Sequence, residues 1–313
     1  MALSQQSFND YLTASSGVCG ISTVTTGTQS QTTSGIVLMC VGVSFLAIND
    51  AFAKALTDHY SPVQILFLRN FIALPFVFLV TLKIGGPSAL VSRRPVAHLA
   101  RGIIWIAAAT LFFTSLKFLE LAEATALVFA APVFVTALSA LVLGERVRWR
   151  PWLAVLGGFL GVLIVVRPGA DTFQLASLLP VATAMLYAVM MISARWVDPK
   201  ESVWTLSFYM VAVGLLLSLV FVPFVWVMPK TEHIWLFLGI AATGTAGVTM
   251  ITQAFRFAPA SIVAPLDYTA LIWATLLGRL IWSETPDFAT FFGAAIIIAS
   301  GLFIILRERQ AET

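Results

Sequence analysis

Charge is what this sequence has least of: Asp, Glu, Lys and Arg make up 11% of its 313 residues, against about 25% in an ordinary soluble domain. So few charges cannot cover a water-facing surface. Cysteine is nearly absent too, and Cys19 and Cys40 fall in a polar stretch and an apolar run, which excludes a disulfide framework or a cysteine metal site. No His-Glu-x-x-His occurs, and His59, His98 and His233 all fall at the ends of apolar runs or between them, so neither a zinc protease nor a serine protease working inside a membrane is indicated. There is no Gly-x-x-x-x-Gly-Lys-Ser/Thr, so ATP does not drive the chain directly. The expectation is a protein with no catalytic residue, metal or cofactor.

What fills the sequence is apolar: 59% of the residues are hydrophobic, and runs of membrane-spanning length recur from Gly35 to Leu306 with short polar breaks. Runs such as Leu153–Val166 and Ala294–Leu306 are apolar on every face, unlike the alternating strands of a membrane β-barrel, and only helices satisfy their backbone that way in lipid. The chain is expected to be all-α, with the lipid bilayer as its solvent and ten spans at 35–57, 62–82, 96–118, 122–143, 151–166, 175–197, 202–226, 234–254, 259–282 and 286–306. Gly85-Gly86-Pro87, Arg167-Pro168-Gly169 and Asp198-Pro199 mark breaks, while Pro62, Pro151 and Pro286 suit a first helical turn, where a missing N–H costs nothing. Residues 1–34, rich in Ser, Thr, Gln and Gly and free of Lys and Arg, lack the charged start of a secretory signal and are expected to form a disordered polar tail.

The net charge of +3 is not gathered on a soluble face, which excludes a nucleic-acid partner. Apart from Arg69 and Arg279, which fall within spans, Lys and Arg sit at the ends of spans. Twelve of them (Lys83, Arg93, Arg94, Arg101, Arg146, Arg148, Arg150, Arg195, Lys200, Arg256, Arg307 and Arg309) fall on one side, and Lys54, Lys117, Arg167 and Lys230 on the other. By the positive-inside rule both termini are cytoplasmic in a multi-pass protein of the bacterial inner membrane. A weak repeat recurs at a spacing of about 140 residues, as in many transporters: Lys54 matches Arg195, Ser61-Pro62-Val63 matches Glu201-Ser202-Val203, and Glu145 matches Glu284. Each half holds five spans, an odd number, so the second copy enters from the opposite side. The expected organisation is a first repeat at 35–167, an inverted second at 175–306, and a cytoplasmic tail at 307–313.

At Lys54, at Pro62 with Arg69, at Pro132, and at Leu143-Gly144-Glu145, the chain resembles the drug/metabolite transporter superfamily in its ten-helix EamA-type branch. Ala258-Pro259-Ala260-Ser261 with Pro265 resembles the same pattern in the second half, although its terminal triplet reads Trp282-Ser283-Glu284. Within the branch the chain looks most like the YddG-type amino-acid exporters. The resemblance implies a central cavity between the repeats, lined mainly by spans 1, 3, 4, 6, 8 and 9, with alternating access. It implies export of a small solute, with neutral or aromatic amino acids as the first expectation and drugs, purines or other metabolites as the alternative. A channel would want repeated rings of carbonyls or charge, usually supplied by oligomer symmetry, and the expected state is a monomer or weak homodimer.

An ionisable group at mid-bilayer costs about 2.5–3.5 kcal/mol on insertion scales, so those positions carry information. Asp50 and Arg69 lie about equally far from the turn between spans 1 and 2. They are expected to pair and lock that hairpin, with contact to solute or proton as the other reading. Asp267-Tyr268 follows Pro265, where a missing backbone bond can free carbonyls to line a cavity. Asn49 and Gln253 offer donor and acceptor to a zwitterion or, equally, hold helices together. Trp105 and Tyr187 offer aromatic walls, whereas Trp152, Trp204, Trp226 and Trp235 read as interfacial. The expected solute contacts are Asn49, Trp105, Tyr187, Gln253, Asp267 and Tyr268. Glu145 and Glu284 read as partners of the dipole of the helix that follows each. Gly157-x-x-x-Gly161 and Thr243-x-x-x-Gly247 read as close-packing motifs, the first serving either this chain or a dimer.

Overall fold

A run of apolar residues in lipid has no hydrophobic drive toward its neighbours, so what sets the packing is how closely backbones can approach. The computed structural model describes residues 21–142, 149–168, 174–193 and 201–312. All regular structure among them is helical: α1 Ile21–Thr57, α2 Pro62–Val80, α3 Pro95–Ser115, α4 Leu121–Val128, α5 Ala131–Val142, α6 Trp149–Val166, α7 Leu178–Ile192, α8 Val203–Phe221, α9 Ile234–Phe257, α10 Ala260–Val263, α11 Ala270–Trp282 and α12 Phe288–Glu312. Seven segments are long and apolar enough to cross a membrane, and Trp152–Val166 and Phe288–Phe303 are shorter apolar helices. The remaining span is interrupted: α10 and α11 flank a 3-10 stretch, Ala264–Thr269. These account for the ten expected spans.

The helices that open on proline do so as the missing N–H dictates, with Pro62 and Pro95 in the first turns of α2 and α3. α1 begins at Ile21 rather than near Gly35, so residues 21–34 of the expected disordered tail continue the helix. That stretch has no proline, and extending an existing helix avoids a new nucleation step. At the other end α12 runs to Glu312, through the expected tail from residue 307. Residues 1–20, Leu143-Gly144-Glu145 and Arg195 lie outside the described residues.

Two breaks fall at equivalent places in the halves. The fourth span divides between Val128 and Ala131, just before Pro132, and the ninth divides around Pro265. Each proline removes one backbone bond and crowds the preceding turn.

Helix partners exchange between halves. α1 packs on α9 and, equivalently, α7 on α3; α2 meets α8, α6 meets α12, and α4 meets α11. Replacing each span by its counterpart five further along maps these pairs onto one another, as expected of a two-repeat protein. Two crossings are set by glycine. A Cβ on Gly42 of α1 would lie 3.1 Å from the Gly247 carbonyl of α9, and one on Gly161 of α6 would lie 2.9 Å from the Gly293 carbonyl of α12. The Gly157-x-x-x-Gly161 motif is therefore used inside the chain, with Ser300 facing Gly157.

Candidate functional site

Polar groups within apolar spans must find partners or a wet cavity. The sequence put Asn49 and Asp50 on α1, Arg69 on α2, Trp105 on α3, Tyr187 on α7 and Asp267 in the 3-10 break. The fold brings all six to one cavity of about 170 Å³ between the halves, with Thr125 and Phe129 of the fourth span and Val248 of α9. Its walls come from every span the resemblance implied, with Arg69 of α2 added. A smaller cavity of about 60 Å³ adjoins it, sharing Arg69, Trp105 and Val248 and reaching Asn70, Ser207, Thr245 and Thr249.

The expected Asp50–Arg69 ion pair does not form, since no such contact lies within 4.0 Å. Asp50 instead accepts a hydrogen bond from the Asn49 amide at 3.0 Å. Arg69 is drawn to the bare backbone of Gly244, where a built Cβ would lie 2.7 Å from its Nη2 and 2.6 Å from Asn49 Oδ1. Asn49 is 3% exposed and its Oδ1 has no hydrogen-bond partner. Trp105 and Tyr187 stack with ring centroids 6.0 Å apart and planes 24° from parallel. Asp267 is exposed although it sits within a membrane-spanning segment, and the surface it shows lines the cavity.

Two expected contacts are not on this wall. Tyr268 turns away, edge-on to Phe129 at 5.0 Å, because adjacent residues in a 3-10 stretch point about 120° apart. Gln253 lies five residues beyond Val248, which rotates it about 140° from the cavity face and carries it about 7.5 Å along α9. Trp204, expected at the interface, lines the smaller cavity, whereas Trp226 and Trp235 are exposed.

Glu284 also differs from expectation. Its carboxylate does serve a helix start, but that of α4 in the other half, accepting the Leu121 N–H at 3.0 Å. The chain turns back to allow this: Ser283 takes a left-handed φ of 58° and the Glu284 N–H reaches the Gly278 carbonyl at 3.1 Å. The other carboxylate oxygen pairs with Lys54, whose ammonium also donates to the Leu119 carbonyl at 2.7 Å. Near this end of the bundle Gln64, fully buried, brackets the backbone of Val227, and Tyr60 Oη meets His233 Nδ1 at 2.9 Å. Sequence reasoning missed the Lys54–Glu284 pair, whose members stand 230 positions apart.

The opposite end is tied differently. Glu201 accepts from Ser92 Oγ at 2.7 Å and from the Arg93 N–H at 2.8 Å, and meets His98 Nε2 at 2.5 Å, with His98 stacked on Tyr209. Burial raises the acidity constant's pKa for Glu201, but these bonds outweigh it and hold the carboxyl below its usual range.

The cavity therefore lies between two halves that cross-pack pairwise and that are bonded to each other at both ends. Comparison with known proteins decides the family, because the EamA-like transporter family matches twice, over residues 33–167 and 174–306. The chain belongs to this family. Among similar proteins, the S-adenosylmethionine uptake transporter of Rickettsia prowazekii is 28% identical, covering 88% of this chain and 94% of its own. The riboflavin transporter of Vibrio cholerae is 30% identical, over 87% and 93%, and the pseudopaline exporter CntI of Pseudomonas aeruginosa 28%, over 85% and 94%. A crystal structure 22% identical in sequence superposes with a TM-score of 0.59, covering 91% of this chain and 99% of that one, which supports the fold. As an EamA-like protein the chain is a multi-pass membrane transporter of a bacterial family, and its relatives carry small molecules.

Proposed function

We propose that this transporter moves amino-acid-type solutes out of the cell across the inner membrane by alternating access, with both termini cytoplasmic. The observation that carries the reading is one cavity between the halves holding a guanidinium, two carboxylates, an unpartnered amide oxygen and a stacked aromatic pair. That set includes what a zwitterion needs: Arg69 for its carboxylate, Asp50 with Asn49 Oδ1 for its ammonium, and the Trp105–Tyr187 face for its side chain. Asn49, Asp50, Arg69, Trp105, Tyr187 and Asp267 are thus the proposed contacts. Neutral or aromatic amino acids and the outward direction rest on the resemblance to YddG-type exporters. The relatives' names cover both uptake and export, and drugs, purines and other metabolites form the alternative class.

Purified protein in liposomes should show saturable counterflow of a labelled aromatic amino acid, abolished by Arg69→Gln in protein that still folds. Cells expressing it should tolerate toxic amino-acid analogues better than controls. Counterflow of riboflavin or a purine with none of any amino acid would replace this reading with the alternative.

A further inference from the structure

The charges on the cavity wall do not balance for a simple zwitterion. Asp50 and Asp267 are set against Arg69, and among the described residues no other charged side chain lines either cavity. An amino acid brings one positive and one negative group, so it pairs with Arg69 and with one carboxylate and leaves the other unmatched. Asp50 already has the Asn49 amide beside it. Asp267 stands on the far half, in the 3-10 stretch after Pro265, with its surface open to the cavity and, among the described residues, no ion pair within 4.0 Å. A charge left unmatched in a membrane interior is costly. Asn49 Oδ1, buried and without a partner, adds a further acceptor and no donor. The stacked Trp105 and Tyr187 complete a wall that favours cations, because ring faces are electron-rich.

We infer that the preferred solute is a zwitterion carrying a second positive centre, with its α-ammonium and carboxylate at Asp50, Asn49 and Arg69 and the extra cation held between Asp267 and the Trp105–Tyr187 face. The inference rests on the amino-acid reading above and narrows it from neutral amino acids to net cations. Both halves then grip one solute, Asp267 from the second repeat and Asp50 with Arg69 from the first, so binding itself draws the halves together.

Methionine and S-methylmethionine test this, since they differ by one methyl group and one fixed positive charge. In proteoliposome counterflow with the parent protein, S-methylmethionine should have an apparent KM lower by at least about tenfold, the ratio that 1.4 kcal/mol produces. Asp267→Asn should bring the two apparent KM values together, whereas Asp267→Glu, which keeps the negative charge, should keep them apart. Methionine carried as well as or better than S-methylmethionine would overturn the inference and leave the amino-acid reading standing. So would an Asp267→Asn protein that keeps the preference and loses only its response to a pH gradient, which would make Asp267 a proton site. Benzyltrimethylammonium, a cation without an amino-acid head, separates the remaining cases. If it moves and neither amino acid does, the cation preference holds and the amino-acid reading fails; if none of the three moves, both fail.

Discussion

Glu201 shows how much one carboxylate can organise where a helix begins. It stands just before α8, outside the apolar span, yet its side chain is only 6% exposed and binds Ser92, the Arg93 backbone and His98 from the segment entering α3. Because these bonds favour the charged form, the folded-state pKa lies below the ordinary 4.5, and the group takes up its proton more readily when unfolded. Its contribution is therefore complete above about pH 4.5 and is lost as the pH falls through the lower folded value. Melting of the detergent-solubilised protein should drop as acid is added below that point, and Glu201→Gln should be less stable at neutral pH with a flatter acid limb. An unchanged acid limb in Glu201→Gln would show that other carboxylates govern the loss.

At the scale of the element, glycine and proline decide where side chains can meet. Gly244 leaves a bare patch of α9 over which Asn49 of α1 and Arg69 of α2 both lie, and a methyl group there would intrude within 2.7 Å of the two. Both neighbours are the ends of side chains, so they can shift, and Gly244→Ala should lose most transport while folded yield stays near the parent's. Gly239→Ala makes the contrast. Its added Cβ would meet the Phe52 ring at 2.7 Å, away from either cavity, so it should lower the melting temperature, with an overpacking cost of about 1–3 kcal/mol, and spare transport per folded molecule. Loss of transport in both variants in proportion to lost protein would deny Gly244 its special place.

Much of this was legible in the residues themselves. The helix start at Pro62 and the disturbance at Pro265 follow from proline chemistry, and the cost of polar groups in lipid marks Asn49, Asp50, Arg69 and Asp267 as residues that need partners. The spans that bring them together with Trp105 and Tyr187 were, α2 apart, those the EamA resemblance implied. What was not legible depends on rotation and on distance along the chain. Gln253 and Tyr268 are polar groups in the right spans but on the wrong faces, and an Asp50–Arg69 pair matched in depth leaves open which way each side chain turns. Glu284 was assigned to the helix that follows it and serves the start of α4 instead, because which start it meets depends on how the halves dock.

For the molecule as a whole, moving a solute requires the two ends of the cavity to open in turn, and the bonds between halves are what must break. At the end near the α1–α2 turn, Lys54 of the first half holds Glu284 of the second, and Glu284 holds the start of α4 back in the first half. Both side chains are largely buried, at 9% and 16% exposed, so an isolated partner would leave a charge stranded, whereas replacing the two together by methionine avoids that penalty. Lys54→Met/Glu284→Met should accordingly keep its fold and release this end. Thr125 offers a reporter, because it lines the cavity beside the fourth-span break and is 8% exposed. In a background with Cys19 and Cys40 replaced by serine, Thr125→Cys should react slowly with a membrane-impermeant thiol reagent added from the periplasm, and several-fold faster once the methionine pair is introduced. Equal rates in the two backgrounds would mean the ion pair is not the closure, while labelling that accelerates only from the cytoplasmic side would reverse the orientation assigned from the Lys and Arg distribution. Lys54→Met alone, stranding Glu284, should instead lower folded yield, which separates a latch from a strut that merely holds the helices in place.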